Sequence, residues 1–452
     1  MSFLVKIVVT LFLFVSSTSV TIAETDSKKL NRKACEENGI HKESAVPAGS
    51  EVLDRYNWLA HGLIESSLDN GFILGFEKLK PHDRSAYENL QNKHLGRYSL
   101  QSDNPAEKKV RNKLIDRRLN DPKPLMLTHI VEYQAGVDTS LYNAYTKDDG
   151  TLLLRTSEVD RSLPNSLHAL TEKLVPKLKA RISSGDYTHV VFISMGWNND
   201  QGVSICRISA LMENTQASLQ GEFKPIVVGV TWPSVVFGSA QTETVKKLGH
   251  IGSVFNKAND GDELGVFFGN LVLNRLIPQA NIKRLPVIAV GHSYGGRIVG
   301  RATYSRELLL DGAIGDGPDL LVLLQPAFSA RRFVTGAKYG REGAPFAPIA
   351  STRTVVVGTT SDNDSANPFA IWSAHFGGFQ GRKYVQSNQN AQSVFDYVAD
   401  APLGTAIENA KNAVVGRPMM VDATQFVGDH NDIYGPNMGH FLAGLIAQHA
   451  PI

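Results

Sequence analysis

Polar and apolar positions change their pattern near residue 124. From Glu24 to about Lys123 polar and charged residues dominate, and two stretches, Val52 to Leu74 and Pro105 to Pro122, carry helical spacing. Residues 24–123 are therefore expected to form an N-terminal helical extension. From Pro124 onward, short apolar runs alternate with amphipathic ones. The runs at 125–133, 151–159, 188–196, 224–232, 285–291, 319–326, 352–360 and 417–426 read as strands. Those at 166–185, 202–220, 262–280, 296–309 and 435–449 read as helices. Most of the strands are apolar throughout rather than alternating, as strands covered on both faces are. The expected class is α/β: a mostly parallel central sheet of about eight strands flanked by helices, filling a domain over 124–452.

The first residues form a separate pattern. Lys6 precedes an apolar segment from Ile7 to about Val15, and small and polar residues then lead to Thr21-Ile22-Ala23. That run is shorter than the roughly 20 apolar residues a spanning helix needs. Residues 1–23 are expected to be a signal peptide cleaved after Ala23, which places the protein in the periplasm or outside the cell. In that setting the two cysteines, Cys35 and Cys206, can pair. Cys206 also fits a buried thiol on the apolar face of its helix.

Composition narrows the function. The chain is 42% apolar and 20% charged, ordinary for a globular protein able to bury a large core. Its 46 basic and 44 acidic side chains leave a formal charge of +2, with no dense Lys/Arg run, so nucleic acid is not an expected partner. No spacing of His, Cys, Asp or Glu suggests a metal site.

One turn carries candidate chemistry. The apolar run Val287-Ile288-Ala289-Val290 leads into Gly291-His292-Ser293-Tyr294-Gly295-Gly296, and Ile298, Val299 and Ala302 then give a helical stripe. A Gly-x-Ser-x-Gly turn between strand and helix presents its serine on strained backbone, with neighbours small enough for the turn to close. It also sets the serine at a helix N-terminus, where negative charge is favoured. A glycine-rich nucleotide turn is the alternative, but neither Gly-x-x-x-x-Gly-Lys-Ser/Thr nor Gly-x-Gly-x-x-Gly is formed here.

This stretch resembles the nucleophile elbow of the α/β-hydrolase superfamily, and the order of elements from Pro124 to the end is similar to that fold. Gly196-Trp197-Asn198-Asn199 and Trp232-Pro233-Ser234 resemble segments of an uncharacterised bacterial branch of it. The resemblance implies a Ser-His-Asp triad in the chain order Ser, acid, His. Ser293 is then the nucleophile. The acid follows the strand at 352–360, where Asp364 matches the branch and Asp362 competes. The base follows the last strand, where His430 lies in a loop and His440 inside the final helix; His430 is preferred. His292 is not expected to act as a base. The resemblance implies oxyanion donors at the backbone of Tyr294 and of Trp197, although Met195 replaces the histidine usual before the glycine. Trp232-Pro233-Ser234 is expected to pack as a rigid loop under the site.

The implied activity is an exported serine esterase or lipase that cleaves carboxylic esters through an acyl-enzyme, with no cofactor. Two alternatives remain: a phospholipase or lipase working in peripheral contact with a membrane surface, and an inactive hydrolase fold used as a binding module. Residues 234–262 are a candidate cover. The insert 367–416, with Trp372, Phe376 and Phe379, is a candidate acyl-pocket wall or ordinary packing under a long loop.

Overall fold

The structure, a computed structural model, describes residues 70–79, 124–134, 137–147, 151, 163–196, 201–219, 222–232, 258–306, 309, 315–334, 346, 353–364, 366 and 374–452. The expected signal peptide, most of the N-terminal extension, the 152–159 run and Trp372 lie outside these residues.

The described strands are β1 (Asn70–Lys78), β2 (Leu125–Gln134), β3 (Val137–Asn143), β4 (His189–Ser194), β5 (Pro225–Thr231), β6 (Val287–His292), β7 (Leu320–Leu324), β8 (Val355–Thr360), β9 (Asp396–Val398) and β10 (Met419–Asp422). They form one ten-stranded sheet in the order β3-β2-β1-β5-β4-β6-β7-β8-β10-β9. β2 pairs antiparallel with both β1 and β3; every other pairing is parallel. The architecture is thus a mixed, largely parallel α/β sheet with flanking helices.

The continuous apolar runs are explained by two cores. Successive side chains on a strand point to opposite faces. Along β6, Val287 and Ala289 enter one core while Ile288 and Val290 enter the other. The first core is closed by α1 (residues 163–184), α3 (258–280) and α4 (Tyr294–Thr303), through residues such as Leu178, Leu271 and Ile298. The second is closed by α2 (Gln201–Ser218), α6 (Leu403–Ala410) and α7 (Pro436–His449), through Ile208, Ile407 and Leu442. α5 (Phe379–Ser387) lies between β8 and β9 in the chain. Among the described residues no helix is long and apolar enough to cross a membrane.

Three strands were not foreseen. β1 falls inside the expected helical extension, so that extension is not helical throughout and the sheet begins before residue 124. Its first five residues, 70–74, close the stretch expected to be helical, and its pairing between β2 and β5 makes the run a buried strand. β3, largely exposed, is the edge partner of β2. β9 has three residues, too few to show a period.

The strand order decides where a site can form. After β4 the chain moves to β5 on one side, then returns to β6 on the other. Such a reversal opens a crevice at the carboxyl ends of the flanking strands. Those ends are Ser194 on β4 and His292 on β6, the residue before Ser293.

Candidate active site

β6 ends at His292 and α4 begins at Tyr294, so one residue makes the turn. Ser293 has φ +55° and ψ −120°, a region rarely populated by a residue with a side chain. Such strain costs of order 1–3 kcal/mol and persists only where the surroundings over-determine it. Here the next strand does so. The Ser293 N–H donates to the Leu324 carbonyl at 3.0 Å, and the Ser293 carbonyl accepts from the Ala327 N–H at 2.9 Å. Two glycines make room. A Cβ on Gly295 would lie 1.9 Å from the Ser194 carbonyl oxygen, so only glycine lets α4 start against the end of β4. A Cβ on Gly196 would lie 2.5 Å from Ser293 Cβ and 3.0 Å from its Oγ, so the backbone after β4 passes directly beside the serine.

That backbone leads into residues 197–200. Trp197, the expected second oxyanion donor, lies outside the described residues. Tyr294 is the first residue of α4, where N–H groups point out of the helix end toward a developing anion. The segment before Trp197 is braced by Trp232. Its indole Nε1–H donates to the Met195 carbonyl at 3.2 Å, and its ring centroid sits 6.4 Å from that of Tyr294. Sequence reasoning expected Trp232 to pack under the site. It missed the hydrogen bond, which steadies the loop although no histidine precedes Gly196.

The loops after β8 and β10 meet. His430 Nδ1–H donates to Asp364 Oδ2 at 2.8 Å, and both residues are buried. The other carboxylate oxygen, Oδ1, accepts the Ala366 N–H at 3.0 Å. With Nδ1 engaged by the carboxylate, the neutral ring presents Nε2 as its acceptor. Asn363 sews the two loops together, donating through Nδ2 to the carbonyls of Thr424 at 2.9 Å and Val427 at 3.0 Å. Asp362 is engaged elsewhere: it pairs at 2.6 Å with Arg382, which also holds Asp422 at the end of β10. His440 is exposed on α7 rather than packed in the core. Of the two carboxylates and two histidines in competition, the structure brings together Asp364 and His430.

His292 touches this pair from the nucleophile side. Its Nε2–H donates to the His430 carbonyl at 2.7 Å, and the two rings lie 4.8 Å apart, centroid to centroid. Ser293 Oγ makes no hydrogen bond among the described residues. Catalytic hydrogen bonds commonly tighten only when substrate binds.

Because a carbonyl only accepts, His292 carries a proton on Nε2. Burial, then the nearby charges of His430 and Arg207, hold its pKa well below the ordinary histidine value. Burial likewise lowers that of His189, which hydrogen-bonds the Ala450 carbonyl at 2.8 Å. Both groups bind protons more weakly in the folded chain than in the unfolded one. Their contribution to stability is therefore complete above the unfolded pKa of about 6.5 and is lost as pH falls below it, by up to about 1.4 kcal/mol per pH unit for each. The urea midpoint is expected to fall steadily between pH 7 and pH 5. A midpoint that stays level over that range would contradict this.

Of the candidate pocket wall, Phe376 is fully buried in the core against Phe328, Phe333 and Phe395, and forms no wall. Phe379 is exposed on α5 beside Arg382. Of the candidate cover, residues 258–262 open α3. Cys206 is disulfide-bonded; Cys35 lies outside the described residues. Among the described residues no group of three or more His, Cys, Asp or Glu side chains could hold a metal ion. Compared with known proteins, the chain matches no family model and no curated protein.

Proposed function

We propose that this chain is a serine hydrolase of the α/β-hydrolase type, exported through its N-terminal segment, that cleaves carboxylic esters. The observation that carries the reading is the buried Asp364–His430 pair, hydrogen-bonded at 2.8 Å and held against the residue before a strained, glycine-flanked serine. A serine hydroxyl is a poor nucleophile until a base takes its proton as it attacks. His430 Nε2 takes the Ser293 proton while Oγ bonds to the ester carbonyl carbon. Asp364 keeps the Nδ1–H tautomer and stabilises the imidazolium. The carbonyl π electrons move onto oxygen, where the Tyr294 N–H and the Trp197 N–H that the sequence resemblance implies hold the oxyanion. As the tetrahedral intermediate collapses, the C–O bond to the alcohol breaks and His430 returns the proton to the leaving oxygen. Water repeats the attack on the acyl-enzyme, again with His430 as base, and Ser293 leaves protonated.

The test is active-site labelling. A fluorophosphonate probe is expected to form one adduct on the folded protein, mapped to Ser293 by mass spectrometry, with loss of p-nitrophenyl acetate hydrolysis in proportion. Labelling elsewhere, or none, would sink the reading. A sharp rise in activity on phospholipid vesicles over soluble esters would move the substrate class to membrane lipids.

A further inference from the structure

We infer that His292 and Gln325 are positioning residues that hang the loop carrying His430 on the turn carrying Ser293. The inference rests on the hydrolase reading above for its functional meaning, and on geometry for its substance. Two buried side chains from the ends of adjacent strands, β6 and β7, donate to consecutive carbonyls of the base loop. His292 Nε2–H reaches the His430 carbonyl at 2.7 Å, and Gln325 Nε2–H reaches the Asp429 carbonyl at 3.3 Å. A loop held at two successive peptide groups cannot rotate about either alone, so the direction of the His430 ring is tied to the elbow.

Gln325 stands where all three parts of the site meet. It follows Leu324, whose carbonyl accepts the Ser293 N–H. Its own N–H donates to Thr359 Oγ1 at 3.0 Å, on the strand that leads to Asp364. Its side chain reaches the base loop. Its backbone has φ +39°, a left-handed conformation that glycine adopts freely and glutamine does not. The chain also makes room for it: a Cβ on Gly377 would lie 2.2 Å from the Gln325 carbonyl carbon. If the turn alone mattered, glycine would serve better there. A strained residue kept with a side chain points to a use for that side chain. Both groups also carry an unanswered acceptor: His292 Nδ1 and Gln325 Oε1 are buried and make no hydrogen bond among the described residues. Leaving a buried acceptor unanswered costs stability, and at both residues the end that is engaged is the donor on the base loop.

Three variants test this in the full chain. Gln325→Gly relieves the backbone and removes the donor. It is expected to melt no lower than the parent, yet to lose about tenfold or more in kcat on p-nitrophenyl acetate, with KM little changed, because small misplacements of a catalytic group act on the reacting geometry. His292→Met removes the donor at similar size and is expected to show the same split, while His292→Gln, which restores an Nε2 donor at that reach, recovers most of the rate. Amide exchange at residues 428–431 is followed in parallel and is expected to quicken in Gln325→Gly and His292→Met. Parent-like kcat in both variants, or a His292→Gln no better than His292→Met, overturns the inference. If the parent protein shows neither a Ser293 adduct nor ester turnover, the hydrolase reading has failed; the exchange data then decide the positioning alone, and unchanged protection at 428–431 overturns it.

Discussion

His430→Ala and Asp364→Asn are each expected to lower kcat for ester hydrolysis by about 10³–10⁴-fold, while His440→Ala and Asp362→Asn stay within about twofold of the parent. The ratio follows from what each side chain touches. On the proposed mechanism His430 is the group that takes the Ser293 proton, and alanine removes that base. In Asp364→Asn the amide can offer an N–H to Nδ1 where the carboxylate accepted one. That favours the wrong tautomer, with Nε2 protonated and useless as a base, and it removes the charge that stabilises the imidazolium. Asp362 is spoken for by Arg382 and His440 stands exposed on α7, so neither loss reaches the reacting atoms. Steady-state kinetics on p-nitrophenyl acetate with the four variants reads the result. A large loss in His440→Ala with activity kept in His430→Ala would reverse the assignment of the base.

The second large effect is on stability. Asp262, 1% exposed at the start of α3, is expected to cost about 3–5 kcal/mol when replaced by alanine. Three guanidiniums converge on it: Arg332 at 2.7 Å and 2.9 Å in a two-point contact, Arg297 at 3.1 Å and Arg301 at 3.4 Å. Burial alone would push the carboxyl pKa up, but Arg332, Arg297 and Arg301 outweigh it and hold it far below the usual carboxylate range. All three arginines are themselves buried, so the alanine variant removes negative charge from the interior and leaves the positive charges there. Two of the three belong to α4, one and two turns beyond Ser293, and the damage is expected to reach the elbow. The folded-state pKa is depressed, so this contribution is present above the unfolded value of about 3.9 and is lost as pH falls below it. Urea denaturation at pH 7 measures the difference. A loss under about 1 kcal/mol would mean that rearrangement or solvent satisfies the arginines.

Much of the architecture was legible because local chemistry and tertiary demand agreed. Strands buried on both faces must be largely apolar, and β4 to β8 are, with polar residues confined to their ends. The glycines around Ser293 mark a turn that bulkier residues cannot make. Where an element's identity depends on its neighbours, the reading failed. β1 begins in a helix-like stretch and becomes a strand because β5 and β2 lie on either side of it. β3 sits at an edge and carries little apolar signal. Phe376 had two readings, pocket wall or ordinary packing, and the structure gives the packing, because aromatic composition does not say which side of a sheet will cover a ring. Trp232 was given a place under the site, while its hydrogen bond to Met195 depends on how two loops distant in sequence approach.

The amino-acid sequence by itself determined the α/β class and the serine turn, while the order serine, acid, histidine was implied only by the resemblance to the hydrolases. The first two are written in spacing over a few residues, where backbone sterics and side-chain periodicity act locally. Only the tertiary structure decided between Asp364 and Asp362 and between His430 and His440, because hydrogen bonds between residues 66 apart depend on where two loops come to rest. Arg382 draws Asp362 away, Asp364 turns inward to His430, and His292 and Gln325 reach the loop that carries it. Those contacts are long-range, and no local pattern encodes them.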